Sequence, residues 1–220
     1  MGMGKYILSI NTAITPIEVA ISDEKGIVGS IKSYRITSTS VELFKLISYL
    51  MESKGISSRD IAVISLTVGP GSFTGIRVGF AFVRGFCYAL DIPIVPITTL
   101  EAMVLSNPLP NSLVAAVIPA RRGLYYASLF RYKGFTCEKL IEEGVYGEKE
   151  IERLFGRSVI ISTPNSTLPF EYIKVYSVIE AVSDFARKKL KEGRVNRVWE
   201  VKPLYIRISD AEEKFGIRVT

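Results

Sequence analysis

A glycine-rich turn between two apolar runs constrains the fold of this chain more than any other segment. The first run, Ile61 to Val68, predicts a buried strand. The turn (GPGSFTGIRVG, Gly69 to Gly79) leads into a second run that predicts a helix from Thr74 to Leu90. Glycine permits the backbone angles of a tight turn, and the hydroxyl of Ser72 or Thr74 can cap the helix. The segment therefore predicts a strand, a tight turn and a capped helix.

The same turn directs several backbone amides outward and can therefore hold an anion. It is not a Walker A loop, because Ile76 stands where the lysine should follow the last glycine. The alternative is a capped turn without a ligand, because short glycine motifs are common. The residues of this candidate anion site, which we call the signature loop, are Gly69, Gly71, Ser72, Thr74 and Arg77.

Composition places the chain among soluble globular proteins of one large or two small domains. Of its 220 residues, 48% are hydrophobic and 23% charged, and a chain of this length buries roughly 70% of its unfolded surface. Residues 1–5 lack the apolar region of a signal peptide, and Arg77 and Arg84 interrupt the longest apolar stretch. We therefore expect no membrane span and a cytoplasmic location. The two cysteines, Cys87 and Cys137, are expected to be reduced and packed.

The sequence contains no histidine. This excludes a Ser-His-Asp or Cys-His catalytic arrangement, histidine-ligated zinc or iron, and imidazole acid–base chemistry. A peptidase therefore has no nucleophile–base pair and no metal ligands to support it. Carboxylate, lysine or tyrosine chemistry remains open, as does no chemistry at all, and we expect no bound metal.

The order of predicted elements in the first half indicates an α/β fold. Three strands are followed by a helix, a strand, the helix after the signature loop and a short strand, which is the order of a ribonuclease-H-like domain. The first helix is predicted to start at a capping box, Thr39 to Glu42, and to end at Gly55. The predicted strands are Tyr6 to Ile10, Ile17 to Ile21, Ile27 to Tyr34, Ile61 to Val68 and Ile92 to Ile97.

The second half repeats part of this order and indicates a second, degenerate domain of the same type. The strand-turn-strand from Leu113 to Phe130 resembles Ile7 to Ile21 in length and pattern. We therefore predict two ribonuclease-H-like domains of the actin, sugar-kinase and Hsp70 (ASKHA) superfamily, residues 1–100 and 101–220. The last residues, Ala211 to Phe215, are expected to pack back on the first domain. Further predictions are helices at Thr99 to Ser106, Lys149 to Phe155 and Val178 to Lys191, a strand at Val159 to Ser162, and a closing segment, Lys202 to Ile208.

Four segments resemble the bacterial TsaB (YeaZ) family, and together they span nearly the whole chain. They are the glycine-rich turn from Gly69 to Gly79, Ile7 to Thr12 (ILSINT), Pro119 to Gly123 (PARRG), and Lys202 to Arg207 (KPLYIR) followed by Ala211-Glu212. The resemblance implies a protein that acts with TsaD in forming N6-threonylcarbamoyladenosine in tRNA. In that reaction TsaD transfers the threonylcarbamoyl group to the adenosine beside the anticodon. The resemblance also implies that the ATPase TsaE joins the assembly, that the protein forms a homodimer when alone, and that tRNA is met through the complex.

Two positions depart from the pattern of this family and bear on catalysis. Asn11 and Pro119 stand where the family usually has aspartate, in the two loops that hold nucleotide phosphates and magnesium in phosphotransferases of the superfamily. An amide adds no charge and proline adds no ligand, so we expect no magnesium-dependent ATP hydrolysis by this chain alone. The prediction is a non-catalytic subunit without a cofactor, with ATP at most a weak or shared ligand in the complex. The alternative is a nucleotide-dependent ATPase or phosphotransferase of the same superfamily.

The helix after the signature loop has two apolar stripes, whereas a helix that covers one side of a sheet needs only one. The second stripe is covered either by the first helix of the same domain or by a helix of another subunit. The resemblance implies the latter, because TsaB proteins form homodimers and TsaB–TsaD heterodimers through their first two helices. We therefore expect a bulky charged residue at Gly79 to block association without unfolding the chain. The first stripe is Ile76, Phe80, Val83, Cys87 and Leu90, the second is Gly75, Gly79, Phe82 and Phe86, and the predicted partner-binding residues are Gly75, Ile76, Gly79, Phe82, Val83 and Phe86.

The net charge of +6 is concentrated late in the chain. Eight basic and two acidic residues lie from Arg187 to Arg207. This run is either a phosphate-backbone footprint or a solvated helix face. We expect at most weak, salt-sensitive tRNA binding, through Lys188, Lys189, Lys191 and Arg194.

Overall fold

Two five-stranded sheets carry the fold of the computed structural model, which describes residues 4–34, 37–121, 123–134 and 136–206. The first half of the chain forms one sheet and two helices. Its elements are β1 (Tyr6–Asn11), β2 (Ile17–Ser22), β3 (Ile27–Ser33), α1 (Thr39–Ser53), a 3₁₀ turn (Ser58–Asp60), β4 (Ile61–Thr67), α2 (Phe73–Leu90) and β5 (Ile94–Ile97). The strand order is β3-β2-β1-β4-β5, in which β1 pairs antiparallel with β2 and parallel with β4.

The second sheet is also mixed and comes entirely from the second half of the chain. Its elements are α3 (Thr99–Leu105), β6 (Leu113–Pro119), β7 (Leu124–Tyr132), β8 (Cys137–Gly147), α4 (Glu148–Phe155), β9 (Val159–Ser162), β10 (Ile173–Lys174) and α5 (Ile179–Lys191). The strand order is β10-β9-β6-β7-β8, in which β6 pairs antiparallel with β7 and parallel with β9.

The elements stack in five layers because each strand alternates its side chains between the two faces of its sheet. Leu8 and Ile10 of β1 pack under α1 and α2. Ile7 points to the opposite face, where it meets Ala186 of α5. α3 contacts α5 and covers the near face of the second sheet, and α4 covers the far face. The layers are therefore α1 with α2, the first sheet, α5 with α3, the second sheet, and α4.

The α/β fold class predicted from the sequence is confirmed, and the predicted helices and strands are present with ends shifted by one or two residues. The predicted capping box is wrong: α1 begins at Thr39, and Ser38 before it makes no side-chain cap bond. β10 was not predicted, nor was β8, because Lys139 and Glu143 lie on the half-buried side of β8 and Leu140 lies on its exposed side. This strand therefore lacks the apolar alternation that indicates a strand.

The second half of the chain does not pack by itself. α5 lies against the first sheet, so the two halves share a core at this helix. The division into domains at residue 100 stays a prediction. The expected return of Ala211 to Phe215 to the first domain lies outside the described residues.

α2 is the one described helix that is long and apolar enough to cross a membrane, with 18 residues and a mean hydropathy of 1.2. Arg77 and Arg84, which were expected to interrupt this stretch, therefore do not keep it below that criterion. Length and composition are weak evidence, because the core helix of a globular protein satisfies them too. Here Ile76, Phe80 and Val83 pack against the first sheet.

A buried carboxylate joins the first sheet to α5. Oε2 of Glu18, in β2, accepts a hydrogen bond from Asn11 Nδ2 at 3.0 Å and from the backbone N–H of Val178 at 3.2 Å. Its Oε1 accepts from the hydroxyl of Ser177 at 2.5 Å. Val178 directly precedes α5, where the helix dipole favours negative charge. Burial raises the pKa of Glu18 above its ordinary value, and these hydrogen bonds oppose the shift.

Replacing Glu18 with leucine should lower the free energy of unfolding by about 3 kcal/mol, because Asn11 and the donors before α5 lose their acceptor. Glu18→Gln keeps an acceptor and should lose less than about 1 kcal/mol. Chemical denaturation of the two variants measures both values. Similar losses in the two variants would contradict this role for the acceptor.

The same carboxylate should make stability depend on pH. Because the pKa of Glu18 is raised in the fold, the group stabilises the fold fully only below its unfolded pKa, near 4.5, and this contribution is lost as pH rises through the folded pKa. Denaturation between about pH 4 and about pH 7 should show this fall in the native protein. The matched variant Glu18→Gln, which cannot ionise, should lack that component. Equal pH profiles for the two proteins would rule out Glu18 as its source.

Candidate functional site

Ser72 caps α2, which confirms one of the two hydroxyls considered for this role. Its Oγ accepts the N–H of Gly75 at 3.2 Å, and its own N–H donates to the carbonyl of Ala13 at 2.7 Å. The amides of Ser72 and Gly75 are therefore already bonded within the chain. Thr74 and Arg77 are exposed. Anion binding at this loop stays a prediction.

The two glycines of the tight turn are required by its shape. Gly69 has φ +112° and Gly71 has φ +157°, angles that residues with a side chain rarely adopt. A Cβ on Gly69 would lie 2.7 Å from the carbonyl oxygen of Leu204, and one on Gly71 would meet the carbonyl of Ala13. The turn is thus enclosed by the β1–β2 loop on one side and by the last described segment on the other.

The first apolar stripe of α2 lies in the core, as predicted. Ile76, Phe80, Val83 and Cys87 are buried against the first sheet. Two of these, Ile76 and Val83, were also predicted to bind a partner. That assignment is wrong for this pair, because both side chains are covered by the chain's own strands.

The glycines of the second stripe also face the chain's own structure. A Cβ on Gly79 would lie 2.5 Å from Thr12 Oγ1 and 3.1 Å from Leu66 Cδ1, and a Cβ on Gly75 would meet the carbonyl oxygen of Thr12. These glycines admit the β1–β2 loop rather than a helix from another subunit. The expectation that a charged residue at Gly79 leaves the fold intact is therefore wrong.

The other two residues of the second stripe, Phe82 and Phe86, are half-buried and form the floor of a groove between α1 and α2. Their ring centroids are 5.5 Å apart, and the ring of Phe44, on α1, meets Phe82 edge-on at 6.1 Å. The groove has a volume of about 430 Å³, and Ile47 and Met51 of α1 also line it. Phe44 is 64% exposed, so the rim of the groove is apolar and open to solvent.

Small residues form the outer side of α2, next to this groove. Ala81, Gly85 and Ala89 are exposed and follow one another at four-residue spacing. A Cβ on Gly85 would meet nothing within 4 Å. The sequence pattern did not indicate these residues as part of a surface, because small side chains contribute little to an apolar stripe. We call Phe44, Phe82 and Phe86 together with Ala81, Gly85 and Ala89 the α1/α2 face.

The two positions where the resemblance places aspartate are, in this structure, hydrogen-bonded within the chain or exposed. Asn11 is buried, and its amide is bonded to Glu18 and to the carbonyls of Ile14 and Pro16. Pro119 ends β6 at the surface. The part of the chain that the structure describes contains no group of three or more acidic or cysteine side chains that could hold a metal ion.

The two cysteines are free thiols without signs of reactivity. Cys87 is buried and Cys137 is half-buried. Burial raises the pKa of each thiol to about 12, which keeps both protonated at neutral pH. Thiolate chemistry is therefore not favoured at either position.

Three of the basic residues on α5 and just after it lie close to acidic side chains. Arg187 pairs with Asp184, and Glu192 lies 3.3 Å from Arg194 and 4.0 Å from Lys189. These exposed pairs contribute little to stability, but they reduce the local positive charge. Binding of tRNA through this run stays a prediction.

Comparison with known proteins identifies the family. A family model described as TsaD: tRNA N6-adenosine threonylcarbamoyltransferase matches residues 20–166, more than half of the chain. The tRNA threonylcarbamoyladenosine biosynthesis protein TsaB of Escherichia coli (strain K12) is 25% identical over 227 aligned positions, which cover 94% of this chain and 97% of that protein. TsaB of Bacillus subtilis (strain 168) is 27% identical over 137 residues, which cover 62% of this chain and 60% of that protein. The chain belongs to the TsaB (YeaZ) family, within the larger family that the TsaD model describes.

The solved structure of YeaZ from Pseudomonas aeruginosa has the same fold, with a TM-score of 0.77 at 18% identity, covering 91% of this chain and 99% of that one. This likeness supports the predicted ASKHA-type architecture of the TsaB family. The region matched by the TsaD model includes the glycine-rich turn from Gly69 to Gly79, α1 and α2. The α1/α2 face therefore lies in the part of the chain that the TsaB and TsaD families share.

Two matched glycine variants test the assignment of the sides of α2. Gly79→Ala should lower the free energy of unfolding by about 1–3 kcal/mol, because the new methyl group overlaps Thr12 Oγ1. Gly85→Ala should raise it by about 0.5–1 kcal/mol, because the site is open and alanine favours a helix. Thermal or chemical denaturation measures both changes. Equal effects of the two substitutions would show that the sides of α2 are assigned wrongly.

Proposed function

We propose that this chain is a non-catalytic partner of TsaD in forming N6-threonylcarbamoyladenosine on the tRNA adenosine beside the anticodon. Its relatives are named as tRNA threonylcarbamoyladenosine biosynthesis proteins, which supports a role in that pathway. The observation that carries the partner role is the exposed apolar α1/α2 face with its groove of about 430 Å³. TsaD is the proposed occupant of this face.

Exposed rings on the α1/α2 face favour a protein partner over solvent. Phe44 is 64% exposed, and the rings of Phe82 and Phe86 beside it are only half-buried. Burial of one large apolar side chain contributes about 1.5–3 kcal/mol, so covering rings of this size is a substantial driving force. Beside the rings, Ala81 and Gly85 leave space for the backbone of a partner helix. A pair of helices would fill the groove and cover its rim.

Shared ancestry of the interface supports TsaD as the occupant. Because residues 20–166 match the TsaD family model, TsaD is expected to present helices equivalent to α1 and α2. Two such surfaces can pair about a twofold or pseudo-twofold axis. We therefore propose that the chain forms a homodimer through this face when alone, and that TsaD replaces the second copy. TsaE would join through the complex, in the cytoplasm and without a membrane.

The proposed lack of catalysis rests on the chemistry of the β1–β2 loop. Asn11 contributes no charge, and its Nδ2 is bonded to Glu18 at 3.0 Å. Its Oδ1 accepts from Thr67 Oγ1 at 3.0 Å and from the N–H of Ala13 at 3.2 Å. An amide held by this many bonds is a poor candidate for moving to a metal or a nucleotide. We propose no cofactor for the chain itself, with ATP at most a weak or shared ligand of the complex.

Substituting Gly85 tests the partner role without disturbing the core. Gly85→Arg should fold normally, because the site is open, and should abolish TsaD binding, because a long charged side chain would occupy the path of the partner helix. Analytical ultracentrifugation, alone and with TsaD, measures both dimerisation and heterodimer formation. We expect the homodimer and the TsaD complex to be lost together.

Ile173→Arg is the matched control, since it places the same side chain at a half-exposed position on the edge of the second sheet. This variant should associate like the native chain. A folded Gly85→Arg protein that binds TsaD with native affinity would refute the proposed interface. Circular dichroism of both variants checks that any loss is not due to unfolding.

A titration with magnesium and ATP tests the non-catalytic assignment. The purified chain should show no hydrolysis above the buffer control, because Asn11 has no charge and its amide is already hydrogen-bonded, and Pro119 has no side-chain ligand. Phosphate release is the measurement. Magnesium-dependent turnover that disappears in Thr12→Ala or Ser72→Ala would instead favour an ATPase or phosphotransferase.

A further inference from the structure

The last described segment of the chain runs antiparallel along α2, on the side away from α1. At the start of α2, the rings of Phe73 and Tyr205 have centroids 5.0 Å apart. Further along, Arg84 Nη2 donates to the carbonyl of Val201 at 3.4 Å. At the end of α2, Arg197 Nη1 lies 3.2 Å from the carboxylate of the residue that follows the helix. This side of α2 and the segment together form one continuous surface.

Arginine side chains lie over aromatic rings along this surface. The guanidinium carbon of Arg77 is 3.9 Å from the ring centroid of Phe73, and that of Arg197 is 5.6 Å from the ring centroid of Trp199. Trp199 is 63% exposed, and Tyr88, one turn after Arg84 on the same side of α2, is 82% exposed. We call this surface the Arg–aromatic strip, with residues Arg77, Arg84, Tyr88, Arg197, Trp199 and Tyr205.

The turn that presents Trp199 is fixed in place. Val198 and Val201, on either side of it, are buried in the core of the first sheet. The backbone N–H of Arg197 donates to Glu200 Oε2 at 2.9 Å, and the N–H of Glu200 returns to the Arg197 carbonyl at 3.0 Å. The fold thus holds a large ring outward in water in a fixed position.

The strip carries net positive charge. No carboxylate pairs with Arg77 or Arg84 in the part of the chain that the structure describes, while Arg197 pairs with Asp91. Among the exposed rings, Trp199 lies close to the Arg197 cation, whereas Tyr205 packs against Phe73. Its unpaired arginines distinguish the strip from the α1/α2 face, whose defining residues are all apolar.

We propose that the Arg–aromatic strip binds single-stranded RNA. Unpaired bases stack on exposed aromatic rings and on guanidinium planes, and the backbone between them carries a phosphate at each step. Trp199 and Tyr88 would each receive a base, and Arg77 and Arg84 would meet the phosphates. A surface that carries both exposed rings and arginines without acidic partners matches this repeat better than it matches an apolar protein helix. The identification of the RNA as the substrate tRNA rests on the proposed function.

The basic run on α5 is the competing RNA surface within the chain. Its acidic partners Asp184 and Glu192 already pair with Arg187, Lys189 and Arg194. Binding there would be electrostatic and therefore strongly salt-dependent. Stacking on the strip would persist at higher salt, so the two surfaces can be told apart by experiment.

The chain contains one tryptophan, so its fluorescence reports directly on the strip. Titration of the full-length chain with a single-stranded RNA of about ten nucleotides should quench the emission of Trp199, because a base stacks on the indole. A duplex of the same length should quench it less. Trp199→Ala and Tyr88→Ala should each weaken binding of labelled RNA about 5- to 100-fold with an unchanged salt slope, whereas Trp199→Phe should restore most of the affinity.

Two further variants separate the contribution of charge to RNA binding from that of base stacking. Arg77→Ala should make the slope of log affinity against log salt shallower by about 0.7, the value for one phosphate contact on a single strand. Tyr176→Ala removes a ring of similar exposure, 58%, outside the strip and should change nothing. Single-stranded RNA that neither quenches Trp199 nor loses affinity in Trp199→Ala would overturn the proposal.

Other outcomes would reassign the surface and equally overturn the proposal. If Lys188→Glu with Lys191→Glu abolishes RNA binding and the strip variants do not, the RNA lies on α5. If Trp199→Ala loses TsaD but not RNA, the strip is a protein interface. If the strip variants do not affect RNA binding but the chain still binds TsaD, the proposed function stands. A native chain that quenches with RNA but does not bind TsaD would instead remove the proposed function alone.

Discussion

A carboxylate buried between the first sheet and α5 determines how the rest of this structure is arranged. Burial without partners would be strongly unfavourable, so Glu18 is tolerated only because it accepts hydrogen bonds from both halves of the chain. The network continues beyond it. Asn11 Oδ1 accepts the N–H of Ala13, and the carbonyl of Ala13 accepts the N–H of Ser72 at the start of α2. An unbroken path of hydrogen bonds therefore connects the start of α5 to the start of α2.

This network explains why Asn11 suits this chain. Its Nδ2 is 3.0 Å from Glu18 Oε2, and an aspartate there would place two carboxylates side by side in the core. The resemblance to the TsaB family predicted aspartate at this position, and an aspartate would add charge to the loop. Here the loop instead positions α2, and Gly75 and Gly79 provide the space that it needs. The amide thus favours a structural use of the loop over a catalytic one.

The sequence predicted most of the fold because the decisive signals were local. Strand periodicity, the tight turn and the hydroxyl of Ser72 depend on neighbouring residues, and the structure has each of them. The sequence did not predict which side of α2 meets which neighbour. Gly79 and Phe86 belong to the same predicted stripe, yet Gly79 touches the β1–β2 loop and Phe86 lines the groove. No feature of the neighbouring sequence distinguishes the two positions. Only the long-range packing of Thr12 against α2 distinguishes a glycine that admits the chain itself from Gly85, which is open to a partner.

One helix therefore provides three surfaces. Successive residues of an α-helix are about 100° apart, so Arg84 and Gly85 lie on adjacent sides of α2 while Val83 faces the core. If both proposals hold, TsaD and RNA bind next to each other, separated by less than the width of one helix. The rigidity of α2 then matters, because its buried side is fixed by the sheet and its start by the Glu18 network. On both proposals, the chain would contribute to the reaction by holding the RNA at a defined distance from the enzyme.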